Sequence, residues 1–597
     1  MKTLRWFALA ASLAGSAWAQ APLIQPEGTS GWNAKAGASH KTYAIAAANP
    51  LAADAGNQML ARGGSAVDAA IAAQMVLTLV EPQSSGIGGG AFLLHFDGKT
   101  PQAFDGRETA PAGAKEDLFL DVQGKPVSRL LAVVGGRSVG VPGVLRMLYL
   151  AHQQHGRLPW ADLFAPAIAL ARDGFVVSPR MAKLLSGETQ LRNDADAAAY
   201  FYDDKGQPRN AGYLLRNPEL AAVLQLIARQ GPDAMITGAV AQAMVRKVQT
   251  NANPGSLSME DLRGYQARVR EPSCFAHTVA TRTYRICGMG APSSGQIALT
   301  QMLGLLDNTP AASLPMESGL PSAQWLHLYT EAARLAFADR AQYVADPDFV
   351  QPPAGAWESL WESGYLRSRA RKIDADPDGI SMGIAEAGSP GKEVLAHAPM
   401  QDQPESGTSH VSVMDHYGNV LAMTTSIEDA WGARILVNRG VGLKGGFLLN
   451  NQLTDFSAQP TGADGKPIAN RVQPGKRPRS TMSPTLVFDE TGKPLMALGS
   501  PGGPLIAHFV AKTLYARLHW QMPLQDAVNL PSFGSLNGTT FLESGRFSQS
   551  TIATLNRRGH KVQEYELPSG LHALERLSDG SITGAADPRR EGVVLGD

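Results

Sequence analysis

The sequence predicts an α+β protein whose sheets are covered by helices. Three observations carry that prediction. Residues 140 to 270 have mostly helical periodicity, strand-like runs take over beyond Ser406, and a helix from Pro504 to Leu518 follows the last of those runs. Strands framed by helices from both halves of the chain call for packed layers. The 597 residues, 44% of them hydrophobic, suffice for one large layered domain or several.

The elements follow in order. Lys2 and Arg5 precede an apolar run that ends in Ala17-Trp18-Ala19, a small-x-small cleavage pattern, so residues 1–19 read as a secretory signal peptide. The remainder is then expected in the periplasm or outside the cell, with no later segment long and apolar enough to span a bilayer. Pro50 to Val80 is Ala-rich and helical, broken at Gly63-Gly64 and restarted by Ser65, an N-cap with Asp68 three residues on. The loop Ser84-Ser85-Gly86-Ile87-Gly88-Gly89-Gly90 leads into a strand from Ala91 to Phe96, and Asp97-Gly98 turns the chain into a second strand toward Arg107. Helical patterns follow at Val144 to His152, Trp160 to Arg172, Pro218 to Arg229 and Ala323 to Tyr343. Residues 351 to 404, rich in Pro, Gly, Asp and Glu, read as irregular or exposed, a natural place for a cut. Strands are expected at His410 to Asp415, Val420 to Ile427, Gly446 to Asn450, Pro484 to Phe488 and Leu495 to Leu498.

Composition removes some functions. Lys+Arg and Asp+Glu both number 53, and no basic block marks a nucleic-acid partner. The only cysteines, Cys274 and Cys287, sit in strand-like runs on either side of a short turn, so they are either a disulfide of an exported chain or two small buried hydrophobes. Gly86 to Ala91 matches a dinucleotide fingerprint loosely, but it precedes a strand where that motif must follow one. Gly136-Arg137-Ser138-Val139-Gly140 has the spacing of an esterase elbow, yet Gly140-Val141-Pro142-Gly143 delays the helix such an elbow needs. His152 and His155 lie among Gln153, Gln154 and Gly156 and read as a solvated helix end. No zinc signature appears, and neither metal nor cofactor is expected.

Two local features carry chemistry. A hairpin reversing at His416-Tyr417-Gly418-Asn419 sets Thr408 opposite Ser426 to within one residue, two hydroxyls that alone amount to an ordinary cross-strand pair. Gly499-Ser500-Pro501-Gly502-Gly503 joins a strand to a helix N-terminus, where its amides either hold a developing oxyanion or make a plain tight turn.

Ordered segments then add up. They include Gly63-Gly64-Ser65-Ala66-Val67-Asp68-Ala69-Ala70, Glu81-Pro82-Gln83-Ser84-Ser85-Gly86-Ile87-Gly88-Gly89-Gly90, Arg107-Glu108-Thr109-Ala110-Pro111 and Val139-Gly140-Val141-Pro142-Gly143. Asp339-Arg340, Asp346-Pro347, Thr408-Ser409-His410, Leu449-Asn450-Asn451-Gln452 and Asp455-Phe456-Ser457 continue the series, through Ser480-Thr481-Met482-Ser483-Pro484-Thr485, Gly499 to Gly503 and Asp587-Pro588-Arg589. With these the chain resembles the gamma-glutamyltransferases, also called glutathione hydrolases, over nearly its whole mature length. The resemblance implies an N-terminal-nucleophile hydrolase fold, a four-layer αββα sandwich formed jointly by two autoprocessed subunits. Residues 20–407 would form the large subunit and 408–597 the small one, after cleavage of Gly407-Thr408. A freed α-amine, with a reference pKa of about 7.7–8.0, supplies the base that an internal threonine lacks.

By the same resemblance Thr408 is the nucleophile, Ser426 its hydroxyl partner, and Gly502 and Gly503 the oxyanion hole. Arg107, Ser480 and Thr481 would hold the α-carboxylate of a gamma-glutamyl donor such as glutathione, and Asp455, Gln452 and Glu428 its α-ammonium. Water, an amino acid or a dipeptide would accept the acyl group. Ser426 and Thr481 each stand where relatives carry the other hydroxyl residue. Glu428 strengthens ammonium binding if the pocket is wet enough to keep it ionised, and residues 458–475 form a short lid without a tyrosine. Two competing readings are an acylase of cephalosporin or glutaryl type, which needs no ammonium pocket, and an uncut, non-catalytic binding homologue.

Overall fold

The computed structural model describes residues 28–391, 396–401, 403–404 and 407–597; the signal-peptide reading of residues 1–19 lies outside them. Fourteen strands build two seven-stranded antiparallel sheets. In chain order they are β1 (Ala38–His40), β2 (Ala44–Ala47), β3 (Gly90–Phe96), β4 (Pro101–Asp105), β5 (Arg268–Arg270), β6 (Ser273–Val279) and β7 (Arg282–Gly288). After the glycine at 407 come β8 (Thr408–Met414), β9 (Val420–Ser426), β10 (Thr485–Phe488), β11 (Pro494–Gly499), β12 (His572–Arg576), β13 (Ile582–Ala586) and β14 (Val593–Gly596). One sheet runs β14-β2-β8-β9-β3-β4-β5 and the other β1-β13-β12-β11-β10-β7-β6. They pack face to face through β8, β9 and β2 against β11 and β12.

Side-chain alternation explains this packing. Val411 and Val413 of β8, with Ala91 and Leu93 of β3, point to one hydrophobic cluster, while Met414, Phe92 and Leu94 point to another shared with Leu486, Met496 and Leu498 of the second sheet. Because the strand period is two, both faces of the central strands are apolar only when both are covered. The outer face of the first sheet is covered by α1 (Pro50–Ala61), α2 (Ala66–Val80) and α3 (Val144–His155). That of the second is covered by α4 (Gly295–Leu306), α5 (Ala323–Tyr343) and α6 (Ile506–Leu518). The result is the four-layer αββα sandwich. Full burial of each Leu or Phe in these layers contributes about 1.5–3 kcal/mol.

The Ser65 restart is a complete capping box, with the Ser65 hydroxyl on Asp68 N–H and the Asp68 carboxylate on Ser65 N–H. Other expectations shift. The segment from Trp160 begins as a 3₁₀ turn (Trp160–Phe164), and its α-helix is Ala165–Asp173, with Pro166 in its first turn. The expected strand at 446–450 shortens to Phe447–Leu448 because Gly445 and Gly446 both take positive φ. Within the stretch read as irregular, Ser363–Ala370 is a helix whose Leu366 packs into the second core. The half-buried His152 and His155 are not a solvated end: His152 Nε2 meets the Leu158 carbonyl at 2.9 Å, and His155 Nε2 meets Gln102 at 2.6 Å.

Cys274 and Cys287 pair directly across β6 and β7 and are disulfide-bonded. Among the described residues no helix is long and apolar enough to cross a membrane. Both sheets interleave strands from before and after Gly407, so a cut there leaves two polypeptides sharing both sheets.

Candidate active site

The hairpin of β8 and β9 pairs Thr408 with Ser426, the register the turn predicts. Thr408 Oγ1 donates to Ser426 Oγ at 3.3 Å, and the Ser426 hydroxyl donates in turn to the Gly407 carbonyl at 2.6 Å. The Glu428 N–H donates to the same Ser426 oxygen at 2.9 Å. One donor and two acceptor positions are therefore all used, which fixes this hydroxyl against the peptide bond preceding Thr408. Gly407 has φ +102°, and a Cβ there would sit 2.4 Å from the Glu428 carbonyl oxygen, so no other residue fits without moving the backbone.

Beside this bond lies a small cavity lined by nine of the ten residues expected to act on a substrate. Thr408, Ser426, Arg107 and Glu428 line it together with Gln452 and Asp455, and Ser480, Thr481 and Gly503 complete the set. Gly502 does not line it. It precedes Gly503 with φ +139°, and a Cβ on it would strike the Phe509 ring at 2.4 Å. Gly503 opens a 3₁₀ turn ahead of α6, where first-turn amides have no acceptor within the helix. Met482 and Ile506 also line the cavity, one inside a motif noted above and one at the helix start that periodicity placed two residues earlier.

The charges form a buried cluster. The fully buried Arg107 pairs through Nη2 with Asp455, donates to the Arg479 carbonyl at 3.0 Å, and sends Nε to the Pro478 carbonyl at 3.1 Å. The residues expected at opposite ends of a substrate thus touch each other. Gln452 Nε2 donates to the same Asp455 oxygen at 2.8 Å. Three acceptor atoms, Gln452 Oε1, Asp455 Oδ1 and Glu428 Oε1, are buried with no hydrogen-bond partner among the described residues. A buried acceptor left unmatched costs about 1–3 kcal/mol, so this cavity selects a group rich in N–H donors.

The condition attached to Glu428, a pocket wet enough to keep it ionised, is opposed by its surroundings. Burial first, then the charges of Asp455 and Asp429, hold its carboxyl well above the usual range. Asn451 donates to it, and Arg129 Nη2 lies 3.9 Å away. Burial likewise raises Glu108, beside Arg107, to about 8.

The support of the site comes largely from residues to which motif reading gave no role. Asn450 accepts from the Gly140 and Gln452 amides at 3.0 Å and donates to the carbonyls of Gly88 and Gly140, tying both glycine-rich loops to the cavity. Arg340 donates to Thr481 Oγ1 at 2.8 Å and to Ser294 Oγ at 2.9 Å. Ser294 donates through both its amide and its hydroxyl to the Ser480 carbonyl, so the Ser480-Thr481 turn is held from behind. Asn470, within the expected lid, donates to the Asp455 carbonyl at 2.7 Å. Ser138, the discounted elbow serine, is buried and donates to the Val133 carbonyl at 2.8 Å. The cavity's lining carries no histidine or cysteine, hence no zinc-type ligand set.

Two sheets between helical layers, with a hydroxyl residue leading a central strand, define the class of N-terminal-nucleophile hydrolases. The solved cephalosporin acylase from Bacillus halodurans has this fold: TM-score 0.81 at 24% identity, covering 96% of this chain and 99% of that one. The sequence profile of the gamma-glutamyltranspeptidase family matches residues 52–597. The chain is 35% identical to the glutathione hydrolase proenzyme of Bacillus subtilis, with 92% of this chain and 91% of that one covered. It is 34% identical to the Escherichia coli protein of the same description, with 98% and 97% covered. The chain belongs to the gamma-glutamyltranspeptidase family and is an enzyme of gamma-glutamyl amide chemistry.

Proposed function

We propose that the chain is a proenzyme that cuts itself between Gly407 and Thr408 into a large subunit ending at Gly407 and a small subunit of residues 408–597. Its exported, periplasmic form then transfers or hydrolyses gamma-glutamyl groups through an ester on Thr408. The observation that carries the substrate assignment is the set of unmatched acceptor oxygens on Gln452, Asp455 and Glu428 beside the buried Arg107. An α-amino acid head group is a zwitterion. Its carboxylate replaces Asp455 as the partner of Arg107, with the Ser480 and Thr481 hydroxyls, while its ammonium meets the three acceptors, so each charge of the head group has an opposite partner in a dry site. A gamma-glutamyl side chain then extends to Thr408.

The cut precedes catalysis. Thr408 Oγ1 attacks the Gly407 carbonyl carbon while Ser426 stabilises the charge growing on its oxygen. The C–N bond then breaks, the proton of the attacking hydroxyl passing to the departing nitrogen, which becomes the free α-amine, and water hydrolyses the remaining ester to the Gly407 carboxylate and the Thr408 hydroxyl. That amine becomes the general base. The Thr408 hydroxyl next adds to the γ-carbonyl of glutathione or a related donor, with Gly503 and Gly502 amides facing the oxyanion. The leaving amine departs, and water or an amino acid or dipeptide amine resolves the ester. A solved gamma-glutamyltranspeptidase chain from Pseudomonas nitroreducens, complexed with L-DON, supports this reading. It is 33% identical at a TM-score of 0.50, and 93% of it is spanned by only 55% of this chain, as fits one piece of a cut protein.

The test compares gamma-glutamyl and glutaryl anilides, with and without a dipeptide acceptor. Losing the ammonium forfeits charge-assisted hydrogen bonds worth about 1.5–3 kcal/mol each, so the gamma-glutamyl anilide should be favoured by at least about 10²-fold. A preference for the glutaryl compound would establish the acylase reading instead.

Two further outcomes are expected. Ser426→Ala removes the hydroxyl on the Gly407 carbonyl and should slow the cut on the order of 10²-fold, seen by gel electrophoresis over time. For Glu428 the sign follows from its raised pKa. Ammonium binding needs the ionised carboxylate, so kcat/KM rises with pH as Glu428 loses its proton, alongside the Thr408 amine. Below both ionisations log kcat/KM should climb with a slope near two, and Glu428→Gln should reduce that slope to one.

A further inference from the structure

Twice in the described residues, two histidines and a carboxylate bring one ligand atom each within 4.8 Å of one another. The two groups differ in how their protons are used. In His327, Glu331 and His560, His327 Nε2 faces the Asp374 carbonyl at 2.8 Å and must carry the proton, which leaves Nδ1 to accept from His560 Nε2 at 2.8 Å. His560 Nδ1 meets the Thr540 hydroxyl at 2.9 Å, and Glu331 accepts from Arg334, Ser381 and the Met382 amide. Every ring nitrogen and both carboxylate oxygens have partners, and the group is a satisfied core network.

The group of His277, Asp307 and His519 is different. His277 projects from β6 and is 1% exposed, Asp307 caps the C-terminus of α4 with its side chain 37% exposed, and His519 follows α6. His277 Nε2 and His519 Nε2 face each other at 2.9 Å. His277 Nδ1 lies 3.2 Å from the Asp307 carboxylate, yet it is buried without a hydrogen bond of acceptable geometry. The ring of His519 is fixed by stacking on Tyr515 at 4.0 Å.

We infer that His277, His519 and Asp307 form a binding site for a divalent first-row transition ion such as zinc. Two imidazole nitrogens and one carboxylate oxygen from three separate elements are a zinc-type donor set, and water completes the coordination sphere. With bonds of about 2.0–2.1 Å at tetrahedral angles, ligand atoms stand about 3.3 Å apart, so the rings need to part by a few tenths of an ångström. The part-exposed Asp307 carboxylate, which rests against His277 Nδ1 and lies within 4.8 Å of the other ligand atoms, needs to swing toward the Nε2 side by up to about 1.5 Å. Magnesium and calcium, which demand mainly oxygen ligands, do not suit it. Partial exposure of Asp307 gives the ion its entry. No sequence motif shows this site, because His277 and His519 lie 242 residues apart. His277 and Asp307 precede Gly407 and His519 follows Thr408, so the ion would also clip together the two polypeptides of the proposed cut; only that consequence rests on the cut.

The test is a titration of chelator-stripped, untagged protein with Zn²⁺, and with Mg²⁺ as control, by calorimetry and with Co²⁺ absorption as a coordination signature. Expected are one Zn²⁺ per chain, no Mg²⁺ binding, and at least a tenfold weaker affinity in His277→Gln, His519→Gln and Asp307→Asn, with His327→Gln unchanged. His519 and Asp307 are partly exposed, so their variants keep the test valid if His277→Gln fails to fold. The uncut Thr408→Ala chain should bind Zn²⁺ equally, which separates this site from the cut. Absence of stoichiometric Zn²⁺, or binding unchanged in His519→Gln, would overturn the proposal.

Discussion

Thr408→Ala is expected to remain a single polypeptide and to release no product from a gamma-glutamyl anilide above the no-enzyme background. The substitution leaves the Gly407 carbonyl in place with Ser426 donating to it at 2.6 Å, but removes the hydroxyl that attacks it. The fold should survive. Thr408 is 4% exposed and begins a strand paired on both flanks of its sheet, so losing one hydroxyl and one methyl costs on the order of 1 kcal/mol. Thr408→Ser restores a hydroxyl and should restore both cutting and part of the activity. That pattern separates a chemical role from a structural one.

Asp455→Ala is expected to cut itself normally and to lose the donor. Asp455 pairs with Arg107 and Gln452, whereas the hydrogen bonds that hold Ser426 run to Gly407, Thr408 and Glu428, so the geometry of the cut stays as it is. In the cavity the donor ammonium loses its charged acceptor, whereas Arg107 regains a counter-charge from the donor carboxylate once the donor is bound. A charge-assisted hydrogen bond is worth about 1.5–3 kcal/mol, which corresponds to a fall in kcat/KM of about 10- to 10²-fold. Steady-state kinetics on the gamma-glutamyl anilide should show this mostly in KM. A glutaryl anilide, which has no ammonium, should be affected far less, and an equal loss on both substrates would place Asp455 outside the ammonium site.

The legible parts of this chain were those fixed by local spacing. The turn at His416 to Asn419 set the Thr408 and Ser426 register, the short turn between the cysteine strands set Cys274 against Cys287, and Ser65 with Asp68 set the start of α2. What stayed hidden depends on distance in sequence. Arg107 and Asp455 are 348 residues apart, so their pairing exists only once both sheets have formed. The neutral preference of Glu428 arises from burial beside Asp455 and Asp429, which no local pattern reports. The Ser363–Ala370 helix was missed because its neighbours are rich in Gly, Pro and Asp, and it is held by tertiary packing of Leu366 against the core rather than by propensity. Asn450 and Arg340 lay inside recognisable motifs, but their tasks as clamps emerge only from their partners.

The most direct test of Thr408 as a freed nucleophile is the intact mass of the purified protein, with N-terminal sequencing of each polypeptide. Two polypeptides, the shorter beginning Thr408-Ser409-His410, are predicted. A single uncut chain that nevertheless turns over a gamma-glutamyl anilide would contradict it.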